Sequence, residues 1–137
     1  MAEPRVQFTN VSSLNAEALG EPGQRTFRIL ASSGTSSATI WLEKEQLLQL
    51  ALAVNQLMAT LPDESASTTE LDDREAPDAS NLDFKAGKLV LGHDNRAGRF
   101  MIDAHDIQSE DEENATIRVW SDRPQVKAFA DEAMEVC

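Results

Sequence analysis

The sequence predicts an α+β domain of two β-β-β-α units, an antiparallel sheet with two helices packed on one face. Three observations point there. First, the chain reads twice: Ala18-Leu19-Gly20, Thr26-Phe27-Arg28-Ile29-Leu30 and Ala38-Thr39-Ile40 before one helix, then Val90-Leu91-Gly92, Arg99-Phe100-Met101-Ile102 and Ala115-Thr116-Ile117 before another. Second, period-2 apolar runs bounded by Gly- and Pro-bearing turns precede each helix, as strands do. Third, Leu50 precedes Phe129 and Val54 precedes Ala133 by the same 79 residues. A repeated unit of this size does not bury its apolar face alone, so the halves are expected to share one core. The division is a first unit over 1–61, a flexible acidic linker over 62–83 and a second unit over 84–137. The alternative architecture is a small barrel-like sheet capped by the helices.

Each element has a local cause. Val6–Phe8 and Val11–Leu14 alternate, as an edge strand or extended lead-in does, and Glu17–Gly20 ends a strand. Glu21-Pro22-Gly23-Gln24 has type II turn chemistry, with Pro presetting φ and Gly accepting φ > 0 at the third position. In Arg25–Ala31, Phe27, Ile29 and Ala31 share one face. The small polar run Ser32–Ser37 is a hairpin loop, and Ala38–Leu42 is the next strand. Helix one spans Lys44–Leu61, where Leu47, Leu50, Ala51, Val54, Leu57 and Met58 recur at helical spacing. Leu48 and Leu52 widen that stripe, predicting burial over much of the girth, and Pro62 ends the helix.

Residues 62–83 hold eight acidic side chains against Arg74 alone, with no amphipathic period. Burial cannot offset the ordering entropy of such a segment, hence the linker reading. Strands follow at Phe84–Gly92, at Arg99–His105 with Phe100, Ile102 and Ala104 on one face, and at Ala115–Trp120. A charged loop, Gln108–Asn114, separates the last two. Helix two starts at Ser121 or Asp122, either of which can cap, and Pro124 suits its first turn.

Bulk properties narrow the function classes. A net charge of −12 without any Lys/Arg run argues against nucleic acid and anionic membranes as partners. The single cysteine, Cys137, permits no internal disulfide. No secretory leader and no bilayer-length apolar run is visible, so a cytoplasmic location is expected.

Gly20-Glu21-Pro22-Gly23-Gln24-Arg25-Thr26-Phe27, then Leu42-Glu43-Lys44-Glu45-Gln46 opening a Leu/Ala helix, resembles the bacterial domain-of-unknown-function family 3090. Phe84-Lys85-Ala86-Gly87-Lys88-Leu89 leading into Phe100-Met101-Ile102-Asp103-Ala104 fits it too. The likeness covers most of the chain outside the acidic linker. It implies no established activity. It implies gene neighbours that encode histidine-phosphatase-like and lipid-kinase-like proteins, and thus protein partners in a phosphate-related pathway. Longer members carry a Cys/His tail like a small zinc ribbon. Its ligands have no counterparts in this chain, which reads as a shortened version, so no metal or other cofactor is expected.

Candidate sites come from the residues. Arg25, Arg28, Arg96 and Arg99, with Lys85 and Lys88, make six of the twelve basic side chains and sit at matching places in the two units. They are candidates for binding an anion or an acidic partner near the repeat axis, Arg being suited to bidentate recognition of carboxylate or phosphate. Trp41 and Trp120 point away from the helix-facing side of their strands and are interface candidates. No Gly-x-Ser-x-Gly elbow, phosphate loop or convergent acid/base set is present. The expected role is a non-enzymatic protein-binding or adaptor module. The alternative is a metal-dependent hydrolase or phosphate-processing enzyme using Asp103, His105 and Asp106, with His93 as a further ligand; Asp103 and His105 share a strand face.

Overall fold

The computed structural model describes residues 6–9, 11–21, 23–60, 81–94, 98–109 and 114–137. Their elements are β1 (Val6–Phe8), β2 (Ser13–Leu19), β3 (Thr26–Ser33), β4 (Ser36–Leu42), α1 (Lys44–Thr60), β5 (Asn81–Asp94), β6 (Arg99–Asp106), β7 (Ile117–Ser121) and α2 (Arg123–Val136). This is an α+β fold with a seven-stranded sheet in the order β1-β7-β6-β5-β4-β3-β2.

The sheet is mixed, which corrects the antiparallel expectation. β1 pairs with β7 and β4 pairs with β5 in parallel, while the remaining ladders are antiparallel. Parallel neighbours require a crossover of about a dozen residues or more. The chain between β4 and β5, which includes the 17 residues of α1, is long enough to supply one. β5 serves two ladders. Asn81–Lys85 lie along β4 and Ala86–Asp94 along β6, with a register shift between Ala86 and Lys88. Gly87 sits at that bend, where a Cβ would come within 3.1 Å of the Ile107 Cα. The strand opens at Asn81, inside the segment 62–83; residues 62–80 lie outside the described residues.

The two ends of the strand order are close in sequence. β1 lies at one end and β2 at the other, and an extended chain from Phe8 to Ser13 reaches only about 18 Å. A flat seven-stranded sheet would separate its outer strands by about 29 Å. The sheet must therefore curl. Val11 N–H donates to Trp120 O on β7 at 3.4 Å, and Ser12 N–H to Ser32 O on β3 at 2.7 Å, so adjacent residues touch opposite ends of the order.

Local chemistry shapes the connections. Gln24 N–H donates to Glu21 O at 2.9 Å and Gly23 has φ +89°, the geometry expected of the Pro-Gly turn. The β3–β4 hairpin turns on Gly34-Thr35 alone, with Gly34 at φ +59°, so the serines flanking it belong to strands. Asp122 caps α2 by accepting from Gln125 N–H at 2.9 Å, a contact worth about 1 kcal/mol.

One core joins the inner faces of the strands to both helices. α1 buries Leu47, Leu50, Ala51 and Val54, and α2 buries Val126, Phe129, Ala130 and Ala133, each 79 residues after its counterpart on α1. Leu52 is exposed and Leu48 half-buried, so α1 is not enclosed over most of its girth: its outer side faces solvent. The hairpins place Ile29 opposite Ile40 and Ile102 opposite Val119. On that register Ile40 corresponds to Val119, and the Ala-Thr-Ile match to Ala115-Thr116-Ile117 is two residues out of step.

Candidate functional site

The outer face of the sheet carries a row of polar side chains across four strands. Glu17 on β2 stands opposite Arg28 on β3, Arg28 opposite Trp41 on β4, and Trp41 opposite Lys85 on β5. They point outward because the alternate residues Phe27, Ile29, Ile40, Leu42, Phe84 and Ala86 fill the core. The Arg28 guanidinium lies 5.3 Å from the centre of the Trp41 ring, a cation–π contact. Its Nε donates to Glu17 Oε1 at 2.7 Å, and Nη2 approaches the same oxygen at 2.6 Å. Trp41 Nε1 donates to Asp83 Oδ1 at 2.9 Å, and Lys85 Nζ pairs with Glu43 Oε1 at 2.7 Å. The row thus brings together Arg28 and Trp41, which the sequence offered as separate candidates.

The other candidates lie apart from this row. Arg25 is exposed just before β3, and Arg96 lies outside the described residues. Arg99 opens β6, which β4 and β5 separate from β3 in the strand order, so no ladder joins Arg99 to Arg28. Trp120 on β7 stands opposite Met101 on β6 and donates Nε1 to Gln7 Oε1 at 3.2 Å.

Asp103 and His105 do share a face of β6, and both are buried. Asp103 faces Arg118 on β7, which donates Nε to Oδ1 at 2.8 Å and Nη2 to Oδ2 at 3.0 Å. The hydrogen bond to Asp103 raises the Arg118 pKa, against the lowering effect of burial. His105 Nδ1 has no hydrogen-bond partner. Asp106 turns its carboxylate to its own backbone, Oδ1 accepting from Gln108 N–H at 2.9 Å. His93 packs against Phe100 with ring centres 4.7 Å apart and ring planes tilted by 59°. It stands opposite Phe100, five residues along β6 from His105, a separation of about 17 Å. Among the described residues no group of three or more His, Cys, Asp or Glu is placed to hold a metal ion.

Two glutamines escaped the sequence reading. Gln46 Nε2 donates to Ala86 O at 3.3 Å, tying the first turn of α1 to β5 where it changes partners, and Gln125 Nε2 donates to Val11 O at 3.2 Å, tying the first turn of α2 to the link between β1 and β2. Their signal was available: they too are 79 residues apart.

Fold and surface define a class: a mixed-sheet α+β domain with two helices in one core and an aromatic–cationic row on the outer face. The chain belongs to the family described as protein of unknown function (DUF3090), whose model matches residues 6–137. Comparison with curated proteins and with solved structures finds no match. Among the described residues no helix is long and apolar enough to cross a membrane.

Proposed function

We propose that this protein is a non-enzymatic, cytoplasmic protein-binding module built from two equivalent β-β-β-α units, and that it docks an acidic or phosphorylated segment of a protein partner on the Arg28–Trp41–Lys85 row. The observation that carries the reading is the cation–π contact of the Arg28 guanidinium with the Trp41 indole, with Lys85 opposite Trp41 in the strand register. The contact holds the guanidinium beside the ring, and a planar fork recognises carboxylate or phosphate bidentately. The present partners are displaceable: Glu17 and Glu43 are both well exposed, and exposed ion pairs contribute at most about 1 kcal/mol. The equivalence of the units is supported by the matched buried helix positions and by Gln46 and Gln125.

Trp41 reports on the test. In a Trp120→Phe background, titration with a phosphoserine-rich acidic peptide at low salt is expected to change Trp41 fluorescence saturably. Arg28→Ala should weaken the response by about tenfold or more, and 0.5 M salt should remove it. A response unchanged in Arg28→Ala, or none in the parent protein, rejects the docking row.

A further inference from the structure

Among the described residues, no strand lies beside one edge of β5. Past Lys85 its ladder is with β6 alone. In an antiparallel ladder, residues alternately turn N–H and C=O toward the partner strand and away from it. Thr116 N–H donates to Ala104 O at 2.9 Å, so Ala104 turns its backbone toward β7 and away from β5. Leu89 stands opposite Ala104 and Leu91 stands two residues on, so both turn their N–H and C=O away from β6. They open into a groove of about 640 Å³ between β5 and α1, lined by Leu50, Ala53, Leu89 and Leu91 and rimmed by Glu45 and Lys88.

The corresponding edge of β2 is closed. Ala16 stands opposite Ile29 as Leu91 stands opposite Ile102. The Ala16 N–H, turned away from β3, donates to Glu132 Oε1 on α2 at 2.8 Å, and Asn15 Nδ2 donates to the same oxygen at 3.1 Å. Ala53 holds the place on α1 that Glu132 holds on α2, at the 79-residue spacing of the buried helix positions. A carboxylate takes the edge amide in one half; in the other a methyl group stands beside the groove.

We propose that this groove binds an extended segment of a partner protein, which adds as a strand to the open edge of β5. An edge with free N–H and C=O groups at every second residue is a template for another extended backbone. The apolar lining selects apolar side chains at alternate positions. The rim carries Lys88 and two glutamates, Glu45 and Glu43, the latter paired with Lys85, and on a chain of net charge −12 it selects Lys or Arg between the apolar side chains. This surface meets the Arg28–Trp41 row only at Glu43, which pairs with Lys85, and strand addition at Leu89 and Leu91 does not depend on that row.

The test begins with amide exchange in the free full-length protein. The Ala16 amide is expected to exchange slowly, and those of Leu89 and Leu91 quickly. A ten-residue peptide of alternating valine and lysine should then protect Leu89 and Leu91. The same peptide N-methylated at alternate residues should bind at least about tenfold more weakly, because it lacks the edge-facing donors. Ala53→Glu, at a half-buried helix position, should weaken the unmodified peptide to a similar degree without lowering the unfolding temperature. Slow exchange of Leu89 and Leu91 in the free protein overturns the proposal. So does a peptide that leaves them unprotected, or equal binding of the N-methylated form.

Discussion

Asp103 and Arg118 meet as a two-bonded pair across neighbouring strands, Nε to Oδ1 at 2.8 Å and Nη2 to Oδ2 at 3.0 Å. The Asp103 side chain is 10% exposed and that of Arg118 25%. The pair fully occupies the carboxylate that would otherwise be the strongest ligand on β6. Each ion is held by the other, so removing one strands its partner in a poorly solvated place. Arg118→Met is expected to lower stability by about 3 kcal/mol, read as the urea midpoint at neutral pH. Adding Asp103→Leu to that variant should recover most of the loss, since an apolar pair of similar volume substitutes for a buried ion pair. A single variant as stable as the parent would mean that water solvates Asp103.

Gly20 and Gly23 separate two sources of glycine dependence. Both have positive φ, +98° and +89°, where a Cβ is strained. At Gly20 a Cβ would also lie 2.8 Å from the Gln24 carbonyl oxygen, whereas at Gly23 it would meet nothing within 4 Å. Gly23→Ala is expected to cost about 1–2 kcal/mol from backbone strain alone. Gly20→Ala should cost more, because backbone must move as well. Thermal unfolding of the two variants decides it; equal losses would show that the turn relaxes without cost.

The Cys137 thiol has a pKa raised by burial, partly offset by the positive charge of Lys44. Its Sγ lies 3.8 Å from the Lys44 carbonyl oxygen. Alkylation needs thiolate, so iodoacetamide should react more slowly with Cys137 than with free cysteine, and the pH–rate curve should lie at higher pH. Lys44→Ala should displace the curve further upward. The linkage has one sign: a raised folded-state pKa means that the native state holds the proton longer. The stability it contributes is complete below the unfolded thiol pKa and is lost as pH rises through the folded value. Cys137→Ser should remove that alkaline loss, measured as the unfolding midpoint against pH.

Much of the local structure was legible because it rests on short-range chemistry. The period of Phe27, Ile29 and Ala31, the Pro-Gly turn before them and the Asp122 cap each depend on residues a few positions apart. Leu50 and Phe129, 79 residues apart, are both buried, as the apolar period of each helix indicated. The Ala-Thr-Ile identity misled by two residues. Both copies satisfy the same alternation of faces, and a shift of two leaves every side chain on its own side of the sheet. At the outer face Arg28 and Trp41 were each singled out, but their contact depends on the β3–β4 register, in which residues 13 positions apart stand opposite.

The sequence by itself determined the α+β class, the family, the inward faces of the strands, the Pro-Gly turn and the Asp122 cap, written in periodicity and in the local preferences of single residues. Tertiary structure alone decided that β4 and β5 run parallel, that β5 divides its length between two ladders, and that β1 and β2 lie at opposite ends of a curled sheet. It also decided that Asp103 binds Arg118 and that Glu132 on α2 takes the Ala16 amide of β2. Strand alternation tells which face a residue occupies and nothing about which strand lies beside it. Neighbours are selected by the closure of the whole sheet around one core, a condition that no local window of residues contains.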